Sequence, residues 1–130
     1  MATIKAYTDL SQSKKLAEFL PLESADMCYS NDGTAIKIDA NPYTVRYSMW
    51  KDCVVEVIPC WSLAALRNLL PPAIKPNKDL YLFESHNTFD NSWVYRYYNE
   101  DDTSYLYYKD TNEIDACVEM IIKLCELKML

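Results

Sequence analysis

Strand-like segments come in hairpin-linked runs along this chain instead of alternating singly with helices, and this ordering restricts the fold more than any other feature. The runs Ala25–Ser30 and Thr34–Asp39 flank Asn31-Asp32-Gly33. Asp-Gly between two such runs is a strong hairpin signal. Gly33, the one glycine in the sequence, supplies the positive φ that the turn requires. Tyr43, Val45, Tyr47 and Met49 then alternate with Thr44, Arg46 and Ser48, the period of a half-buried strand. Trp50-Lys51-Asp52 reads as a turn, Cys53–Ile58 as a β-branched central strand, and Pro59 as its end. Leu80–Glu84, Trp93–Tyr98 and Ser104–Lys109 read as three more strands, the last two joined by the polar tip Asn99–Thr103. Parallel neighbours need crossovers of a dozen or more residues, so strands linked this closely pair antiparallel.

Three helices flank and divide the runs. The first is expected over Ser11–Leu20, with Asp9 and Gln12 at capping-box spacing, Leu16, Phe19 and Leu20 on its apolar face, and Pro21 as its stop. The second is short: Ser62 caps it, Leu63, Leu66, Leu69 and Leu70 share one side, and Pro71-Pro72 ends it ahead of a loop over 73–79. The third runs over Glu113–Lys128 from an Asn112 cap. Ile114, Cys117, Val118, Ile121, Leu124 and Cys125 form its apolar face, and Asp115, Glu119, Lys123 and Glu126 its polar stripe. The order α, ββ, ββ, α, βββ, α predicts the α+β class. The expected architecture is a single domain over 1–130: a mostly antiparallel sheet built from hairpins, with the three helices (near the N-terminus, in the middle and at the C-terminus) packed mainly on one face.

Composition narrows the chemistry. Half the residues are apolar and a quarter charged, an ordinary globular balance. Apolar runs are too short to cross a bilayer, and the first nine residues lack the apolar stretch of a signal peptide, so the expected location is the cytoplasm. Five cysteines, Cys28, Cys53, Cys60, Cys117 and Cys125, are odd in number and widely spaced, which argues for buried thiols over a disulfide framework. A net charge of −6 without a basic patch makes nucleic acid and anionic membrane poor partners. No glycine-rich loop suggests a phosphate-binding cofactor. His86, the single histidine, sits in Glu84-Ser85-His86-Asn87-Thr88, which reads as a turn. Glu100-Asp101-Asp102 does not follow calcium-loop spacing. No catalytic residue, metal ligand or cofactor is expected, and an enzyme is not indicated.

Tyrosine is the feature left over. Of eleven tyrosines, six fall between residues 95 and 108. Trp93, Tyr95, Tyr97, Tyr105 and Tyr107 are the candidate aromatic face. Such residues stabilise a sheet through cross-strand pairing, or serve as an exposed panel. An exposed panel would anchor a protein partner, a second copy included, because Tyr and Trp are enriched at binding hot spots. The alternative is a small-molecule or nucleotide binder that stacks its ligand on the panel.

Three stretches carry a resemblance: Tyr7–Glu18, Ile58–Leu66 and Asp115–Leu124, with Leu22–Met27 also fitting. Together they resemble short uncharacterised proteins encoded by gut anaerobic bacteria and their phages or mobile elements. The resemblance implies an intracellular accessory protein and assigns no site residue. The tyrosine-rich strands lie outside it.

Overall fold

The computed structural model describes residues 6–29, 35–37, 47–50, 53–56, 58–74, 80–99 and 104–130. Among these residues the fold is α+β, with three α-helices and every strand pair antiparallel. The described strands divide among three sheets, where one was expected. The chain forms two compact units, one comprising Tyr7–Ala65 and the other containing Leu66–Leu130.

In the first unit, α1 (Leu10–Ala17) starts as its sequence predicts. The Asp9 side chain accepts from the Gln12 backbone N–H at 2.8 Å, and the Gln12 side chain accepts from the Asp9 N–H at 3.0 Å. Leu16 and Leu20 are buried, but Phe19 is exposed, with Lys15 Nζ 5.3 Å above its ring; the buried face passes through Ser13 instead. Strand β1 (Met27–Tyr29) pairs with β2 (Ala35–Lys37), as the Asp-Gly signal predicts, although the turn itself lies outside the described residues. Strands β3 (Tyr47–Trp50) and β4 (Cys53–Glu56) form a separate hairpin, in which Trp50 continues the strand instead of starting the turn. The expected single strand Cys53–Ile58 is therefore two strands in different sheets, and β4 is not central. Strand β5 (Ile58–Cys60) joins β1, and Pro59 lies inside it opposite Cys28. Proline is tolerated there because β5 is the edge of the order β2-β1-β5, where one side of the strand needs no ladder bond.

A buried polar knot holds these pieces. The Thr8 hydroxyl lies 2.7 Å from that of Ser13 and accepts from the Trp61 backbone N–H at 3.1 Å, and the Tyr29 hydroxyl donates to the Thr8 carbonyl at 2.7 Å. Trp61 is fully buried, and its indole N–H donates to Ser24 Oγ at 3.0 Å. Among the described residues no buried side-chain polar atom lacks a partner, the condition under which polar groups can be buried without a large cost.

Helix α2 (Leu63–Leu69) begins where Ser62 Oγ accepts from the Ala65 N–H, as expected. The second unit is a four-stranded sheet in the order β6-β7-β8-β9, made of β6 (Ala73–Ile74), β7 (Leu80–Asn87), β8 (Ser92–Tyr98) and β9 (Ser104–Asp110). The expected 73–79 loop thus contains a short strand. Helix α3 (Glu113–Glu126) packs on β8 and β9. The Asn112 cap accepts from the Asp115 N–H, and Ile114, Cys117, Val118, Ile121 and Leu124 are buried as predicted; Met120 joins them and Cys125 is half-buried. The helix stops two residues before its expected end, where Lys128 takes a left-handed φ of 58° and the Met129 N–H closes on the Leu124 carbonyl.

Candidate functional site

The register of the four-stranded sheet decides which aromatics share a face. Residues directly opposite each other across a pair lie on the same side. Tyr95 stands between Glu84 and Tyr108, and Tyr97 between Leu82 and Leu106. This is the inner face, against α3, and Tyr95 and Tyr97 are fully buried in it. Their hydroxyls are satisfied: Tyr95 donates to Glu113 Oε1, and Tyr97 donates to the Pro71 carbonyl at 2.6 Å. Burial pushes both phenols well above the usual tyrosine range, and the Glu113 carboxylate adds to the effect at Tyr95.

Arg96 stands between Phe83 and Tyr107, and Tyr81 opposes Tyr98, on the outer face. The expected panel of Trp93, Tyr95, Tyr97, Tyr105 and Tyr107 is therefore divided. Tyr95 and Tyr97 are core, and Trp93 is half-buried in the same inner row. Tyr107 projects outward and is 53 % exposed. Tyr105, the extra residue at a β-bulge where Tyr98 meets Ser104, is 50 % exposed. In their place the sheet brings Tyr81 and Phe83, exposed by 41 and 43 %, together with Tyr98. These were missed because Leu80-Tyr81-Leu82-Phe83 is apolar throughout, so alternation does not say which residues point inward.

The outer face has a definite internal geometry. Phe83 meets Tyr98 edge-on at 6.2 Å and 89°, and Tyr81 meets Tyr98 at 6.3 Å. The Arg96 guanidinium lies over the rings of both Phe83 and Tyr98, at 4.9 and 5.0 Å. Such contacts hold the side chain in place. Ser85, Val94 and Lys109 lie on the same face, and Lys109 Nζ pairs with the Asp90 carboxylate at 3.0 Å.

His86 lies in β7, not in a turn. The strand extends to Asn87 because pairing with β8 continues to Ser92. The imidazole stacks on Trp93, with centroids 4.1 Å apart and planes 22° apart, and its Nε2 lies 2.8 Å from Asn91 Oδ1. Beside this stack is an open cleft of about 270 Å³ lined by Arg67, Glu84, Ser85, His86, Trp93 and Glu113. Its charges already engage one another or the core: Arg67 Nη2 meets Glu84 Oε1 at 2.6 Å, and Glu113 accepts from Tyr95. Small-molecule sites are usually larger and mainly apolar, about 300–1,000 Å³. Among the described residues no His, Cys, Asp and Glu side chains converge as a metal site.

Three of the described cysteines are poorly placed to act as nucleophiles. Cys28, Cys60 and Cys117 are buried, and burial raises each thiol, that of Cys117 up to about 12. The thiolate is the reactive form, so these three are expected to resist a thiol reagent at neutral pH in the native protein and to react fully in denaturant, as read by mass spectrometry.

No protein-family model matches the chain, and no curated protein or solved structure matches it either. No helix among the described residues is long and apolar enough to cross a membrane.

Proposed function

We propose that this protein is a non-enzymatic accessory module of the cytoplasm that binds a protein partner through the outer face of β7, β8 and β9. The observation that carries this reading is the gathering of exposed Tyr81, Phe83 and Tyr107 on the sheet face that carries Arg96, with exposed Tyr105 at the adjoining bulge. Tyr and Arg dominate binding hot spots because they bring large, rigid contact area with polar ends. Stacking of a base or sugar is less well served. The guanidinium already covers Phe83 and Tyr98, the rings stand edge-on, and the chain's negative charge opposes phosphate.

The test compares capture from the native host by the intact chain and by a Phe83→Ala, Tyr107→Ala double variant. The reading expects a discrete protein bound by the wild type and retained at least tenfold less by the variant, with unfolding midpoints matched. Light scattering over a range of concentrations shows whether that protein is a second copy. Equal retention by the two chains, or nothing retained by either, would reject the reading.

A further inference from the structure

The cleft beside the His86–Trp93 stack lies on the inner side of the sheet, away from the exposed aromatics, and all the residues that line it belong to one compact unit. Its lining carries both signs of charge. Arg67 stands against the two carboxylates of Glu84 and Glu113, a net charge of −1 with His86 neutral. One oxygen of each carboxylate is engaged: Glu84 Oε1 accepts from Arg67 Nη2 at 2.6 Å, and Glu113 Oε1 accepts from the hydroxyl of buried Tyr95. An ionised carboxylate accepts up to about four hydrogen bonds, so both keep capacity toward the cleft they line. Burial first, and then the carboxylates of Glu113 and Glu84, push up both the Tyr95 phenol and the Cys117 thiol. The two carboxylates therefore converge on the same buried pair of groups. Asp110 stands opposite Trp93 in the inner row and adds to the negative potential.

We propose that this cleft is a binding site for a small primary alkylammonium ion, its nitrogen bridging Glu84 and Glu113 and its hydrocarbon stem lying along Trp93. The net charge of the lining selects a cation over an anion. The hydrogen bonding selects an ammonium over a guanidinium. A guanidinium fork takes both oxygens of one carboxylate, and here one oxygen of each is already engaged. An ammonium is a compact point charge with three donors, so it can use the remaining capacity of two different carboxylates. A divalent ion would need more oxygen ligands than these two side chains bring together among the described residues. The volume of about 270 Å³ equals about nine waters, enough for a four-carbon amine and too little for a nucleotide-sized cofactor. Half-buried Trp93, stacked on His86 at 4.1 Å, supplies the apolar wall along which such a stem packs. Arg67 competes for Glu84, so the site binds weakly and reversibly. It lies on the opposite side of the sheet from the proposed protein-binding face and does not rest on that reading.

The test titrates the isotope-labelled full chain with n-butylammonium chloride at low salt and follows amide shifts by NMR. Saturable shifts at His86, Trp93 and Glu113 are expected, with a dissociation constant of about 1 mM. Glu113→Gln and Glu84→Gln keep an acceptor for Tyr95 and Arg67, and with unfolding midpoints matched each should weaken binding about tenfold. Arg67→Gln should tighten it about threefold by removing the competing cation. n-Butanol lacks the charge and n-butyltrimethylammonium lacks the N–H donors, so neither should saturate the site. The Phe83→Ala, Tyr107→Ala chain should bind n-butylammonium as the wild type does, which separates this site from the outer face. The proposal is overturned by shifts that do not saturate below about 50 mM, by equal affinity for n-butyltrimethylammonium, by weaker binding in Arg67→Gln, or by Glu113→Gln and Glu84→Gln both binding as tightly as the wild type.

Discussion

Tyr95→Ala is expected to destabilise the protein by about 3–5 kcal/mol, while Tyr107→Ala, on the neighbouring strand, changes stability by less than about 0.5 kcal/mol. Tyr95 is fully buried between the sheet and α3, so truncation removes an aromatic ring from a packed site and takes the hydroxyl donor away from Glu113. Tyr107 is 53 % exposed on the opposite face, where water replaces most of what the ring touches. Tyr95→Phe separates the two contributions. It keeps the ring and removes the hydrogen bond, for an expected loss of about 1–2 kcal/mol. Urea unfolding followed by circular dichroism measures all three. Equal losses for Tyr95→Ala and Tyr107→Ala would contradict the assignment of faces.

The second large effect lies in the other unit. Trp61→Ala is expected to cost about 3–5 kcal/mol. The indole is fully buried and is tied to Ser24, whose hydroxyl in turn donates to the Pro21 carbonyl at 2.6 Å. Losing the ring leaves a cavity, and losing its N–H takes a donor from the Ser24 hydroxyl. Trp61→Phe retains most of the volume and should recover about half of the loss. Because β5 carries Cys60 and pairs with β1, hydrogen exchange of the Met27–Tyr29 amides should accelerate in Trp61→Ala. Unchanged exchange there would place the indole outside the packing of β1 and β5.

Some of this architecture is written locally, and those parts were legible in the sequence. Asp9 with Gln12, Ser62 and Asn112 cap helices because a side-chain oxygen reaches an N–H two or three residues away, which spacing alone predicts. The face of α3 follows from its period. The α+β class follows from the succession of hairpins. What was not legible depends on register across a loop. Tyr105 and Tyr107 alternate correctly with Leu106 and Tyr108, but which pair joins Tyr95 depends on how β9 meets β8, and a one-residue slip exchanges the faces. Pro59 reads as a strand end until its strand is known to be an edge. His86 reads as a turn residue because Ser85, Asn87 and Thr88 are turn-prone, yet pairing with β8 carries β7 past it. Tyr81 and Phe83 were hidden in an apolar run that offered no alternation.

The division of tyrosines between core and outer face is read directly by oxidative footprinting of the intact native protein. Hydroxyl radicals generated in solution, followed by peptide mass spectrometry, should modify Tyr105 and Tyr107 at rates near those of the unfolded chain, with Tyr95 and Tyr97 protected at least tenfold until the protein unfolds. Modification of Tyr95 and Tyr97 as fast as Tyr105 and Tyr107, or protection of all four, would contradict both the register and the exposed face built on it.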